Sequence, residues 1–223
     1  MKPSVQIFAI KYGETYITQD GAYLGGDEKK KVKISLCIYL IKMDKRNILI
    51  DAGCEKLPGF SVENHVSPVE ILMQTGASPE EITDIVITHS HYDHIQASCY
   101  YKKARFYIQK EEYEQGKEFI PNGSEVICFG EEYSLSEMIS IKKVGGHSIG
   151  SSIVLANIGE KRYVFCGDEV YSSKCIREKI PTGASFNKDK SRQFIKEYAN
   201  GNYNILCCHD LILRGRNGIR RIF

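Results

Sequence analysis

Residues 88–94 read Thr-His-Ser-His-Tyr-Asp-His, and they follow directly on the apolar run Ile85, Val86 and Ile87. Three of the chain's six histidines and one carboxylate therefore fall within this short stretch. Neutral imidazole and carboxylate suit zinc and its first-row neighbours as ligands. A buried strand ending in a loop that bears His89, His91, Asp93 and His94 can aim those side chains at one point above its carboxyl end. The feature asks for a fold that leaves strand ends free to gather ligands and brings the remaining donors from elsewhere in the chain.

Three more strand ends supply them. Val144-Gly145-Gly146 bends the chain after one strand and presents His147. The apolar run at residues 163–166 ends in Gly167-Asp168, and the run at residues 204–208 ends in His209-Asp210. Upstream, Ile48-Leu49-Ile50 ends in Asp51-Ala52-Gly53, an acid placed to orient metal-bound imidazoles. Five of the six histidines thus share one kind of position; His65 stands apart and reads as a loop residue.

The pattern between these points mixes helix and strand. Residues 4–12 are predicted as a strand and residues 13–33 as a polar connection, with a solvated charge run at residues 27–31. Ile34, Leu36, Ile38 and Leu40 alternate at period two, which marks a strand with one face on a core. Ser67, Pro68, Glu70 and Gly76 predict a capped helix, and Ser78-Pro79-Glu80-Glu81 a shorter turn. Strands follow over residues 83–88, 104–109, 125–129 and 138–144, with helices over residues 94–101, 110–117 and 189–198. Strand and helix alternate in the first half and strands dominate the second. That mixture predicts two sheets with helices outside them, an α/β sandwich forming a single domain over residues 1–223.

Net charge excludes little but polyelectrolyte binding: thirty basic and twenty-eight acidic residues leave +2. The eight cysteines show no CxxC spacing, several sit in apolar runs, and buried reduced thiols are expected. No signal peptide or membrane span is visible, so the expected location is the cytoplasm.

The motif His89-x-His91-x-Asp93-His94, with Gly146-His147-Ser148, Gly167-Asp168 and His209, resembles the metallo-β-lactamase superfamily from about Ile34 to His209. The resemblance implies a four-layer αβ/βα sandwich with two metals at one edge. His89, His91 and His147 would bind the first metal, Asp93, His94 and His209 the second, and Asp168 would bridge them. Within the superfamily the chain is most similar to the N-acyl-homoserine lactonases, which also place a tyrosine three residues after the bridging aspartate, as in Asp168-Glu169-Val170-Tyr171. It departs from them in the short stretch of fifteen residues between Asp51 and Ser67, and in Ile149 and Ser151 where lactonases often show Pro and His. These departures leave the fold and the metal positions intact and bear on the acyl-homoserine substrate.

Two divalent ions, zinc first and manganese, iron or cobalt as alternatives, lower the pKa of water from 15.7 to about 7 and can share a hydroxide. That hydroxide is expected to attack the carbonyl of a small lactone or ester, possibly an N-acyl-homoserine lactone. Tyr171 would stabilise the oxyanion, a role worth roughly 3 kcal/mol, and Asp93 would pass a proton to the leaving alkoxide. A phosphodiesterase or nuclease on the same fold is the alternative, with a basic C-terminal cluster at Arg214, Arg216, Arg220 and Arg221. A thioester hydrolase is the other, although that branch carries a C-terminal helical domain and fourteen residues follow His209 here. Specificity is assigned to residues 13–33, 52–67 and 171–187. A deep apolar pocket beside Tyr171 would favour a lactone or ester, and an open basic groove a phosphodiester. Nucleic acid is not an expected partner; neither is a membrane.

Overall fold

The computed structural model describes residues 5–213 and 216–223. In chain order its elements are β1 (Val5–Thr18), α1 (Gln19–Ala22), β2 (Lys31–Met43), β3 (Arg46–Ile50), α2 (Pro68–Met73), β4 (Asp84–Ile87), α3 (Tyr92–Ile95), β5 (Arg105–Gln109), α4 (Lys110–Gly116) and β6 (Val126–Phe129). β7 (Glu132–Ser134), β8 (Ile139–Lys143), β9 (Ser152–Ile158), β10 (Lys161–Phe165), α5 (Ser173–Glu178), α6 (Lys188–Tyr198), β11 (Asn204–Leu206) and β12 (Gly218–Arg221) complete it. One sheet runs β12-β1-β2-β3-β4-β5-β6, antiparallel as far as β3 and parallel from β3 to β6. The second runs β11-β10-β9-β8-β7, antiparallel apart from the parallel pair β10 and β11.

The period-two pattern of β2 decides how the layers stack. Leu36, Ile38 and Leu40 face outward onto Ile71 and Leu72 of α2, whereas Tyr39 and Ile41 face inward with Val154 and Ala156 of the second sheet. On the far side Phe194, Ile195 and Tyr198 of α6 cover Ile153 and Val164. Helix, sheet, sheet, helix is the four-layer sandwich expected from the sequence.

Several local expectations need correction. Residues 13–18 are not a loop: β1 runs on through Gly13 to Thr18, with a register shift between Lys11 and Gly13. A side chain at Gly13 would stand 2.8 Å from Val62 Cγ1, so close chain passage, and not a turn, explains this glycine. Ser67 does not cap α2; its hydroxyl donates to Glu55 Oε1 at 2.6 Å. The helix after the histidine loop is a single α turn, α3, followed by a 3-10 turn at Gln96–Tyr100. Residues 218–221, which hold two arginines of the basic C-terminal cluster, form the edge strand β12 on β1, and Arg214 lies outside the described residues. All eight cysteines are free, but Cys99 and Cys128 are exposed. No described helix is long and apolar enough to cross a membrane.

The shift in β1 encloses a charge. Lys11 is fully buried, and its ammonium donates to the Glu14 carboxylate and to the carbonyls of Leu213 at 3.1 Å and Arg216 at 3.0 Å. Three donors meet three acceptors, which is what a buried ammonium requires.

Candidate metal centre

The donors converge at one rim of the two sheets. His89 and His91 lie in the loop after β4, His94 on the single turn of α3, and His147 between β8 and β9. Asp168 and His209 follow β10 and β11. Two clusters result: His89, His91, His147 and Asp168 form one, and His94, His209, Asp168 and Cys208 the other, with donor atoms inside 4.8 Å of each other in each. Asp168 belongs to both. Its Oδ2 faces His147 Nε2 at 3.4 Å and His89 Nε2 at 3.7 Å, while Oδ1 faces His209 Nε2 at 3.1 Å and His94 Nε2 at 3.2 Å. Tetrahedral ligands about 2.1 Å from a zinc ion stand roughly 3.4 Å apart, so these spacings match a metal shell. Asp93 sits on the cavity side, with Oδ2 3.8 Å from His94 Nε2 and 3.7 Å from His209 Nε2, and belongs to neither four-atom cluster. His65 is outside the site; its ring reaches the Cys54 carbonyl at 3.1 Å.

Whether the residues fit metal ions can be tested on the ring nitrogens. His89 Nε2 and His94 Nε2 are buried and make no hydrogen bond. A native interior rarely leaves such atoms unpaired, and both point into the gap beside Asp168. Nitrogens on the opposite side of three rings are held instead. His94 Nδ1 faces Asp51 Oδ2 at 2.8 Å, His209 Nδ1 the Ser35 carbonyl at 2.8 Å, and His89 Nδ1 the Thr88 hydroxyl at 3.1 Å. A fixed outer nitrogen with a free inner one is how imidazoles are presented to a metal. The donor set fits.

Electrostatics say the same. Burial opposes charge on Asp168, yet His209, His94 and His147 outweigh it and hold the carboxyl well below its usual range. Burial likewise opposes protonation of His94 and His209, but Asp168, helped at His94 by Asp51 and Asp93, raises both. His89 and His147 go the other way: burial pushes His89 well below its ordinary value and His147 down to about 4. The cluster therefore wants positive charge around Asp168 and has two imidazoles already held neutral, as metal binding requires.

Further side chains hold the loops, and of these Asp51 alone was marked in the sequence, by its place at a strand end. Asp51 sits at φ 60°, a left-handed conformation uncommon for a residue with a side chain, and accepts from the Thr88 amide at 2.8 Å and hydroxyl at 2.9 Å. Glu112 ties the two histidine loops, accepting from Ser90 amide and hydroxyl on one oxygen and from Ser148 hydroxyl and Gly150 amide on the other. Glu169 accepts from the amides of Gly146 and His147 and from the Ser151 hydroxyl. Asp51→Asn presents an amide nitrogen or a weaker acceptor to His94. It should weaken binding at the position His94 serves by about 10–100-fold, as read by chelator competition; an unchanged affinity would remove Asp51 from the metal's support.

One cavity opens on the clusters, and a second shares walls with it. The first, of about 300 Å³, has His91, Asp93, Asp168, Tyr171 and His209 for a floor and Ile17, Ile34, Leu57 and Phe60 among its walls. The next, about 740 Å³, shares Thr15, Ile17, Phe60 and Tyr171 and extends to Lys31 and Ala184. Tyr171 packs edge-on against His209, with ring centres 4.9 Å apart. Its enclosed position, then Asp168 and Asp93, raise the phenol well above its ordinary pKa, so it stays a proton donor.

Comparisons with known proteins agree with this geometry. A probable metallo-hydrolase of Methanocaldococcus jannaschii is 25% identical over 166 residues, covering 74% of this chain and 72% of its own. An N-acyl homoserine lactonase of Bacillus cereus is 25% identical over 183 residues, covering 71% and 72%. Among solved structures, an N-acyl homoserine lactone hydrolase with N-hexanoyl-L-homoserine at its catalytic metal centre superposes with a TM-score of 0.80 at 18% identity, covering 92% of this chain and 93% of its own. AidC, a dizinc quorum-quenching lactonase, gives 0.75 at 15% identity, covering 97% and 94%. The metallo-beta-lactamase superfamily matches residues 38–209, a span that takes in every strand end from Asp51 to His209, and the chain belongs to that superfamily.

Proposed function

We propose that this protein is a dinuclear metal-dependent hydrolase of lactones or esters, with N-acyl-homoserine lactones as the leading substrate class. The observation that carries the reading is the sharing of Asp168 between two donor clusters on the floor of an apolar cavity. His89, His91 and His147 would hold one ion, and His94, His209 and Asp93 the other, with Asp168 between them. Bound there, the ions supply Lewis acidity and water with a pKa near about 7.

The chain's own groups do the rest. Ile17, Ile34, Leu57 and Phe60 exclude water from an apolar substituent and set the carbonyl against the floor. Tyr171 donates its phenolic proton in a hydrogen bond to the carbonyl oxygen as negative charge develops there. Asp93, on the cavity side of the second cluster, carries a proton to the departing alkoxide. The apolar walls also favour lactone over phosphodiester, since among the described residues Lys31 is the one lysine or arginine lining either cavity. The relatives named lactonases support the same class.

The test is a substrate panel on the zinc-reconstituted protein, followed by proton release. Lactone ring opening should exceed hydrolysis of bis-p-nitrophenyl phosphate and of glutathione thioesters. Phosphodiester cleavage without lactone opening would replace this reading by the phosphodiesterase one.

A further inference from the structure

Tyr12 has no place in the ligand set, yet β1 departs from regular pairing at this residue. Lys11 pairs with Cys37 and Gly13 with Leu36, so Tyr12 between them has no partner on β2. One extra residue in a strand is a β-bulge, and bulges beside active sites re-aim side chains. The Tyr12 carbonyl accepts instead from the Val66 amide at 3.0 Å and from Asn217 Nδ2 at 3.1 Å. Its ring is buried against Gly53, where an added side chain would stand 3.2 Å from Tyr12 Cε1. From there the phenol donates to the Asp93 carbonyl at 3.0 Å.

That donor replaces one lost from α3. In a longer helix the Ala97 amide would reach the Asp93 carbonyl, but here it goes to the Gly53 carbonyl at 2.9 Å. His94 and His209 Nε2 stand 3.8 and 3.7 Å from Asp93 Oδ2, beyond hydrogen-bond reach, so the carboxylate takes its direction from the backbone. The bulge has a second effect. Ile7 and Ala9 face the inner core and Ile10 the outer one, so strict alternation would send Thr15 and Ile17 inward. With the extra residue they stand opposite Ile34 and Val32, and Thr15, Ile17 and Ile34 line the cavity whose floor holds Asp93.

We propose that the β1 bulge is a positioning device in which Tyr12, through the Asp93 carbonyl, fixes the Asp93 carboxylate between the second metal position and the substrate. This rests on the hydrolase reading above, in which Asp93 binds the second ion and carries a proton to the departing alkoxide.

Tyr12→Phe removes the hydroxyl and keeps the ring that packs on Gly53, so the melting temperature should stay near that of wild type. At saturating zinc, kcat on a lactone should fall about 3–10-fold with KM held, the scale of one hydrogen bond. A p-nitrophenyl ester of the same acyl chain releases a phenolate that leaves without a proton, so its kcat should fall less. The readout is the ratio of the two kcat values, which loss of stability alone would not move. Chelator competition should also show one of the two ions held about 3–10-fold more weakly. A ratio equal to that of wild type would overturn the positioning role. A wild type that turns over neither substrate would overturn the hydrolase reading, and the chelator measurement then decides Tyr12 by itself. Weaker binding of one ion would uphold its grip on Asp93, and unchanged binding of both would overturn it.

Discussion

Asp168→Ala should release both metals together and lower kcat/KM by on the order of 10³-fold or more, since orienting partners alone are worth about 10–100-fold in metal affinity. The carboxylate is common to both clusters, with four imidazole nitrogens between 3.1 and 3.7 Å from its oxygens. Removing it leaves those rings facing one another around an empty centre with no counter-charge. Any ion placed there would lack one negative donor at each position. Elemental analysis should find well under one ion per chain, while circular dichroism keeps the wild-type shape because the three apolar cores do not include Asp168. A variant that retains two ions at full occupancy would show that the clusters hold metal independently of the shared carboxylate.

Lys11→Ala should cost up to about 3–5 kcal/mol of stability, because it removes the closer partner of the buried Glu14 carboxylate and leaves it only the partly exposed Lys33 ammonium at 3.5 Å. For a chain of this size the melting temperature should fall by roughly 6–20 °C. Lys11 is fully buried and Glu14 is 3% exposed, so solvent cannot replace the lost ammonium. The carbonyls of Leu213 and Arg216 lose a donor as well, which frees the approach to β12. Lys11→Met with Glu14→Leu removes both charges and should restore most of the loss, since no lone charge stays behind. A melting temperature within a degree of wild type for Lys11→Ala would mean that water reaches this pair.

The chemistry of the centre was legible because it is local in sequence. His89, His91, Asp93 and His94 fall within one loop, and the other donors each stand just past an apolar run. The layers were legible for a related reason, since β2 writes its two faces in alternating residues. What escaped depends on partners distant in the chain. Gly13 reads as a turn until Val62 is seen packed against it, and β12 has one apolar residue, Ile219, taking its strand form from pairing with β1. Cys208 reads as one more core thiol, because nothing near it in sequence shows that β11 stops two residues earlier. Asp51 was readable as an orienting acid, whereas Glu112 and Glu169 were not, because their partners are loop amides and hydroxyls that carry no pattern.

The walls of the two cavities come largely from β1 and α1, from residues 57–61 and from the stretch after Asp168, whereas the floor comes from strand ends of both sheets. Wall and floor therefore answer to different parts of the chain. Substitutions in the walls can alter which molecules are admitted without touching the atoms that react with them. Descendants of one such ancestor would inherit the reaction as a unit and acquire their substrates separately, so relatives that share every donor need share no substrate.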